Sequence, residues 1–143
     1  MIGCGFDASP ESSHALAWAA ELARASSARL RVLAVYERIL PASLAVGGGL
    51  PTATINDTLR RQCEEELARA VAALDVGIDA EARLLDGDPR ELLARESGEL
   101  DLLVVGSRGY GPWRAVLLGS VSSPLVRSAQ SPLVVVPRGP EGE

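Results

Sequence analysis

Short apolar runs alternate along this chain with stretches whose apolar residues recur every three or four positions, and that alternation restricts the fold more than any other feature. Ile2 to Phe6 is a short apolar stretch containing Gly3 and Gly5, and it ends at Asp7-Ala8-Ser9-Pro10. There Ser9 is a capping residue and Pro10 suits the first helical position. Ala15, Leu16, Ala19, Leu22 and Ala23 then mark one face of a helix. Leu30 to Tyr36 reads as a buried strand, followed by a glycine-rich loop from Glu37 to Ala53 that contains Gly47, Gly48 and Gly49.

A second helix is predicted from Ile55, Leu59, Cys63, Leu67, Val71 and Leu74, with Thr54 and Asp57 placed like a capping box. Ile78 to Leu85 alternates with period two, and Asp88-Pro89-Arg90-Glu91 has the chemistry of a third helix start. Leu100 to Val105 and Leu133 to Val136 are apolar runs of the kind that strands buried on both faces require, and Ser120 to Ala129 reads as a helix between them. The order is strand, helix, four times over, then a last strand. It predicts an α/β fold: one open five-stranded parallel sheet with helices on both faces, Rossmann-like, in a single domain spanning residues 1–143.

Composition removes several kinds of chemistry. All 14 basic residues are arginine, and there is one histidine. Without lysine there is no Walker-A loop, no protein-kinase site and no Schiff-base chemistry. A single histidine excludes a zinc site built from several imidazoles. The formal charge of −5, spread evenly, and 3% aromatic residues give neither the basic footprint nor the stacking platforms of a general nucleic-acid binder. Cys4 and Cys63 form no C-x-x-C pair, and no apolar run is long enough to cross a bilayer. The expectation is a cytoplasmic protein with free thiols, bound to neither membrane nor nucleic acid.

One constellation carries chemistry. Gly106-Ser107-Arg108-Gly109 follows the fourth strand, and after nine further residues Gly119-Ser120 opens the predicted fourth helix. Ligands bind at strand ends in such sheets, and glycines ahead of a helix N-terminus offer free N–H groups to phosphate. Alternatively these glycines shape an ordinary turn and helix start. Arg108 and Arg114 either pair with phosphate oxygens or are solvated surface charge. Asp7 either accepts from a nucleotide amine or hydroxyl or complements the helix dipole. Ser9 and His14 suggest a nucleophile and base, but no orienting acid or oxyanion donors accompany them, so no catalytic residue is assigned. Cys4 and Cys63 read as packing residues.

These segments resemble the universal stress protein family over essentially the whole chain. The resemblance is carried by Val104 to Gly109, Leu117 to Ser122, Ser131 to Val136 and the opening Asp7 to Ser12. It implies strand order 3-2-1-4-5 and membership of the family's ATP-binding branch. Asp7 and Val35 would then lie near adenine, with Ala8 and Ser9 in the same turn as Asp7. Val105, Gly106, Arg108 and Gly109 would line the nucleotide, and Gly119, Ser120, Val121 and Ser122 would surround the phosphates. Backbone N–H groups, with Mg²⁺ if it accompanies the ATP, would replace a P-loop lysine.

The resemblance further implies a homodimer through Leu133 to Val136, and a stress-response role in which nucleotide occupancy modulates binding to a protein partner. The alternatives are a dimeric scaffold that has lost ATP and a slow ATPase. The chain departs from the family at Ala8, where glycine is common, and in the bulky residues Tyr110, Pro112, Trp113 and Arg114. An alanine is costly at position 8 if the backbone there is left-handed.

Overall fold

The computed structural model describes residues 1–37, 52–107 and 121–137. Five strands, β1 (Ile2–Gly5), β2 (Leu30–Tyr36), β3 (Ala80–Asp86), β4 (Leu102–Gly106) and β5 (Leu133–Val136), form one sheet in the order β3-β2-β1-β4-β5. All its pairings are parallel. Four helices connect them: α1 (Pro10–Ser26), α2 (Thr52–Ala72), α3 (Pro89–Ser97) and α4 (Ser122–Ser128). The α/β class, the parallel sheet and its order agree with the sequence expectations.

Alternation along the strands divides the core in two. Ile2, Cys4, Leu30, Val32, Ala34, Val104 and Val136 point to one face and pack with Ala15, Leu16, Ala19, Ala20 and Ala23 of α1 and Leu67 of α2. The opposite face gathers Leu33, Leu103 and Val105 with Leu93 of α3, Leu100 and Leu125 of α4. The small side chains of α1 let that helix lie close to the sheet. The two glycines of β1 fall on the second face, where a Cβ on Gly3 would overlap the Leu100 side chain.

The local start signals act as written for α1 and α3. Ser9 Oγ accepts from the Ser12 N–H at 3.1 Å, with Pro10 in the first turn. The Asp88 carboxylate accepts from the Arg90 N–H at 2.8 Å, with Pro89 beside it. The other two helices differ from expectation. α2 already runs from Thr52, so Thr54 and Asp57 lie inside it rather than forming its cap. α4 begins at Ser122 rather than Ser120, with Val121 in the capping position and no side-chain cap hydrogen bond. β5 is the edge strand that the expected order makes it, although only Val136 of its four residues is fully buried where its apolar run suggested burial on both faces.

Ala8 has φ 63°, in the left-handed region. This geometry lets Asp7 Oδ1 accept from the Ser9 N–H at 3.0 Å and closes the turn between β1 and α1. An alanine Cβ costs roughly 1–2 kcal/mol in that conformation. Ala8→Gly is therefore expected to raise the unfolding free energy by about 1 kcal/mol in urea titrations, because part of the relief is offset by the freer unfolded chain.

Below the sheet, an ion network ties β2 and β3 to the end of α3. Arg31, 14% exposed, donates to Glu99 Oε2 at 3.1 Å and pairs with Glu81 and with Glu96, itself 4% exposed. Arg83 approaches the same Glu96 oxygen at 3.1 Å. Hydrogen bonding to Arg31 holds the Glu81 carboxyl below its usual range. Burial pushes the Cys4 thiol up to about 12, which makes it a packing residue rather than a nucleophile.

Candidate functional site

The sheet order reverses between β1 and β4, and at their carboxyl ends a cavity of about 330 Å³ opens. Open α/β sheets bind ligands at this point, because the connections leave it in opposite directions and the helix N-termini splay apart. The volume falls at the small end of the range for small-molecule sites, about 300–1,000 Å³. Six elements build the walls. The ends of β1 and β2 supply Phe6, Leu33 and Val35, and β4 supplies Val105, Gly106 and Ser107. The first turns of α1, α3 and α4 close the sides.

Seven of the residues singled out in the sequence meet here: Asp7, Ser9, Val35, Val105, Gly106, Val121 and Ser122. Ala8 does not line this cavity. Its left-handed backbone turns it toward a shallower hollow between α1 and α2, beside Phe6 and Leu16. Arg108, Gly109, Gly119 and Ser120 lie outside the described residues, as do Tyr110, Pro112, Trp113, Arg114 and most of the loop from Glu37 to Ala53.

Gly106 has a specific reason to be glycine. A Cβ there would come within 2.7 Å of the Glu11 carbonyl oxygen and 2.8 Å of its carbonyl carbon. The first turn of α1 thus rests directly on the end of β4, which brings the Asp7–Ser12 segment and the Val105–Ser107 segment to one cavity. Ser107, buried behind it, donates its N–H to Val136 O at 2.9 Å and fixes the strand end.

Asp7 and Ser9 are engaged in the local turn, since Asp7 accepts from Ser9 N–H and Ser9 caps α1. His14 lies exposed on α1. With the Ser9 hydroxyl committed to its helix, the nucleophile-and-base pairing finds no support here. Among the described residues no group of three His, Cys, Asp or Glu is arranged to hold a metal ion.

The sequence reading missed the α3 side of the cavity, formed by Pro89, Arg90 and Leu93, and the β2 exit at Glu37. α3 leaves β3 and must cross to β4, passing over β2 and β1, so its first turn ends above the β2 exit. The available signal was the Asp88-Pro89 start, which fixes where α3 begins but not what it faces. Asp88 holds one edge of the Arg90 guanidinium, accepting from Nε at 3.1 Å and from a terminal nitrogen at 2.8 Å. Those hydrogen bonds, with the Arg90 N–H, bring the Asp88 carboxyl down to about 2. The Arg90 guanidinium is raised in turn, chiefly by Asp88 and further by Glu37.

A parallel five-stranded sheet in this order, with a cavity at its reversal point, is a doubly wound, Rossmann-like α/β fold. The family model of the universal stress protein family matches residues 1–137, and the chain belongs to that family. A universal stress protein of Thermus aquaticus is 35% identical over 135 residues, covering 92% of this chain and 93% of that one. One from Mycobacterium tuberculosis is 31% identical over 155 residues, covering 97% of this chain but 48% of the relative. The chain thus spans about half the length of the mycobacterial relatives it matches.

Among solved structures, a universal stress protein family member from Burkholderia pseudomallei superposes with a TM-score of 0.73 at 28% identity, covering 95% of this chain and 94% of that one. Another, described as a universal stress protein in complex with cAMP, gives 0.61 at 28% identity, with 96% of each chain covered. Among the described residues, no helix is long and apolar enough to cross a membrane.

Proposed function

We propose that this chain binds an adenine nucleotide in the cavity at the ends of β1, β2 and β4, and that occupancy rather than turnover is its output. The observation that carries this reading is the convergence of Asp7, Val35, Val105, Gly106 and Ser122 on one small cavity at the sheet's reversal point. Its support from outside is the relative of 28% identity that holds cAMP. The apolar walls at Leu33, Val35 and Val105 suit a base, and the segment beginning at Gly106 carries the phosphates.

ATP with Mg²⁺ is the form for which the Gly106…Gly109…Gly119-Ser120 spacing is suited. The described wall carries Asp7, Glu11 and Glu37 against Arg90, whose charge Asp88 already matches. A polyphosphate therefore needs positive charge from a divalent cation or from Arg108 and Arg114. A ligand that favours one conformer can change the surface offered to a protein partner without any chemistry.

The same reading includes a cytoplasmic homodimer. Among the described residues β5 ends the sheet, so one side of Leu133–Val136 has no strand beside it and a second copy would pair with its N–H and C=O groups.

The test is calorimetric titration of ATP, AMP and cAMP, with and without Mg²⁺, into the wild-type chain and Val35→Trp. Saturable binding that weakens at least tenfold when the indole fills the cavity supports the reading. Equal affinity in both proteins would move the ligand elsewhere, and no binding of any of the three to wild type would refute it.

A further inference from the structure

The α3 side of the cavity has a chemistry unlike the rest. Arg90 lines it about half exposed, in a cavity that Leu93, Val35 and Val105 also line with apolar side chains. A free guanidinium forks a phosphate with two adjacent N–H groups on one edge. Here Asp88 occupies such an edge, accepting from Nε at 3.1 Å and from a terminal nitrogen at 2.8 Å. Asp88 also takes the Arg90 N–H at 2.8 Å, so the positive end of α3 is capped by a carboxylate. Glu37 brings another negative charge to the same end of the cavity. An anion is opposed here. With that edge held by Asp88, the guanidinium keeps its flat π face and its outer N–H groups for a ligand, in an orientation that Asp88 fixes.

Resting on the nucleotide reading above, we propose that Arg90 is a base-recognition residue, stacking its Asp88-held guanidinium on the purine while Val35 and Val105 line the same cavity. The base then sits at the α3 end of the cavity, and the phosphates lie toward the β4 end. Asp88 acts only through Arg90, as a positioning residue.

The experiment titrates adenosine, AMP and Mg·ATP into wild type, Arg90→Ala and Arg90→Lys, after thermal melts show that the variants stay folded. The expected result is a loss of affinity of about five- to tenfold in Arg90→Ala, equal for all three ligands, since a stacking contact acts on the base alone. Lysine, which keeps the charge but has no planar face, should restore none of it. A loss that grows from adenosine to ATP and is rescued by lysine would overturn the proposal and make Arg90 a phosphate contact. Unchanged affinity in Arg90→Ala would also overturn it. If wild type binds none of the three, the nucleotide reading itself fails and this assignment falls with it.

Discussion

Gly106→Ala is expected to destabilise the fold by about 3 kcal/mol and to abolish measurable nucleotide binding, because overpacking against rigid backbone lies at the upper end of the usual 1–3 kcal/mol range. The added methyl would meet the Glu11 carbonyl group at 2.7–2.8 Å, and that group belongs to the first turn of α1. No side-chain rotation relieves such a contact. Either α1 moves outward as a body, loosening the packing of Ala15, Ala19 and Ala23 on the sheet, or the end of β4 twists away from Val136. Both routes separate the Asp7 turn from Val105 and Ser107, and the cavity walls lose their spacing. Urea denaturation measures the first effect and calorimetric titration the second. A variant with wild-type stability and affinity would show that the helix and strand can part there at no cost.

Arg31→Met is expected to destabilise by about 3 kcal/mol, near the low end of the 3–5 kcal/mol cost of breaking a buried pair. Arg31 is 14% exposed and Glu96 4%, so removing the guanidinium leaves a carboxylate inside the protein with Arg83 as its one cationic partner among the described residues. The Glu96 Oε2 atom accepts no well-directed hydrogen bond among the described residues, so charge pairing is its main compensation. For that reason Arg31→Met combined with Glu96→Leu should recover most of the loss, since an apolar pair of similar volume is often neutral or better. A double variant no more stable than the single one would show that the arginine's packing, not its charge, was decisive.

The same site predicts a pH dependence. Arg31 lowers the Glu81 carboxyl in the folded state, so that stabilisation is complete above the ordinary glutamate range near 4.5 and is lost as pH falls below it. In Arg31→Met the stability curve should be flatter on its acid side, which urea midpoints between pH 3 and 6 would reveal.

Much of the scaffold was legible because its signals are local. Ser9-Pro10 and Asp88-Pro89 state their helix starts within two residues, and the apolar periods state which elements are helices and which are strands. The errors fall where local signals mislead or are missing. Thr54 and Asp57 mimic a capping box inside a helix that begins at Thr52, and α4 starts behind Val121, which has no capping side chain. The apolar run of β5 suggested burial on both faces, yet at the edge position that the expected order gave it only Val136 is fully buried.

Position 8 is a case where the two levels met. The alanine was visible as a departure from the family, and the φ of 63° shows that the backbone there is one glycine suits better. The candidate site divides in the same way. Gly106 was legible from its place after an apolar run, and Asp7, Val35, Val105, Val121 and Ser122 from the family resemblance. Arg90, Leu93 and Glu37 were not, because they join the cavity only when α3 crosses over β2 and β1.

By itself, then, the sequence determined the class of fold, the helix starts that carry a capping side chain and the strand end at which a ligand would sit. These depend on hydrogen bonds and apolar periods among neighbouring residues. The tertiary structure alone decided the contact of Gly106 with Glu11, the network of Arg31 and Glu96, and the acidic setting of Arg90. Each of these joins side chains or backbone far apart in the chain, whose encounter is fixed by strand order and helix crossing rather than by any local preference.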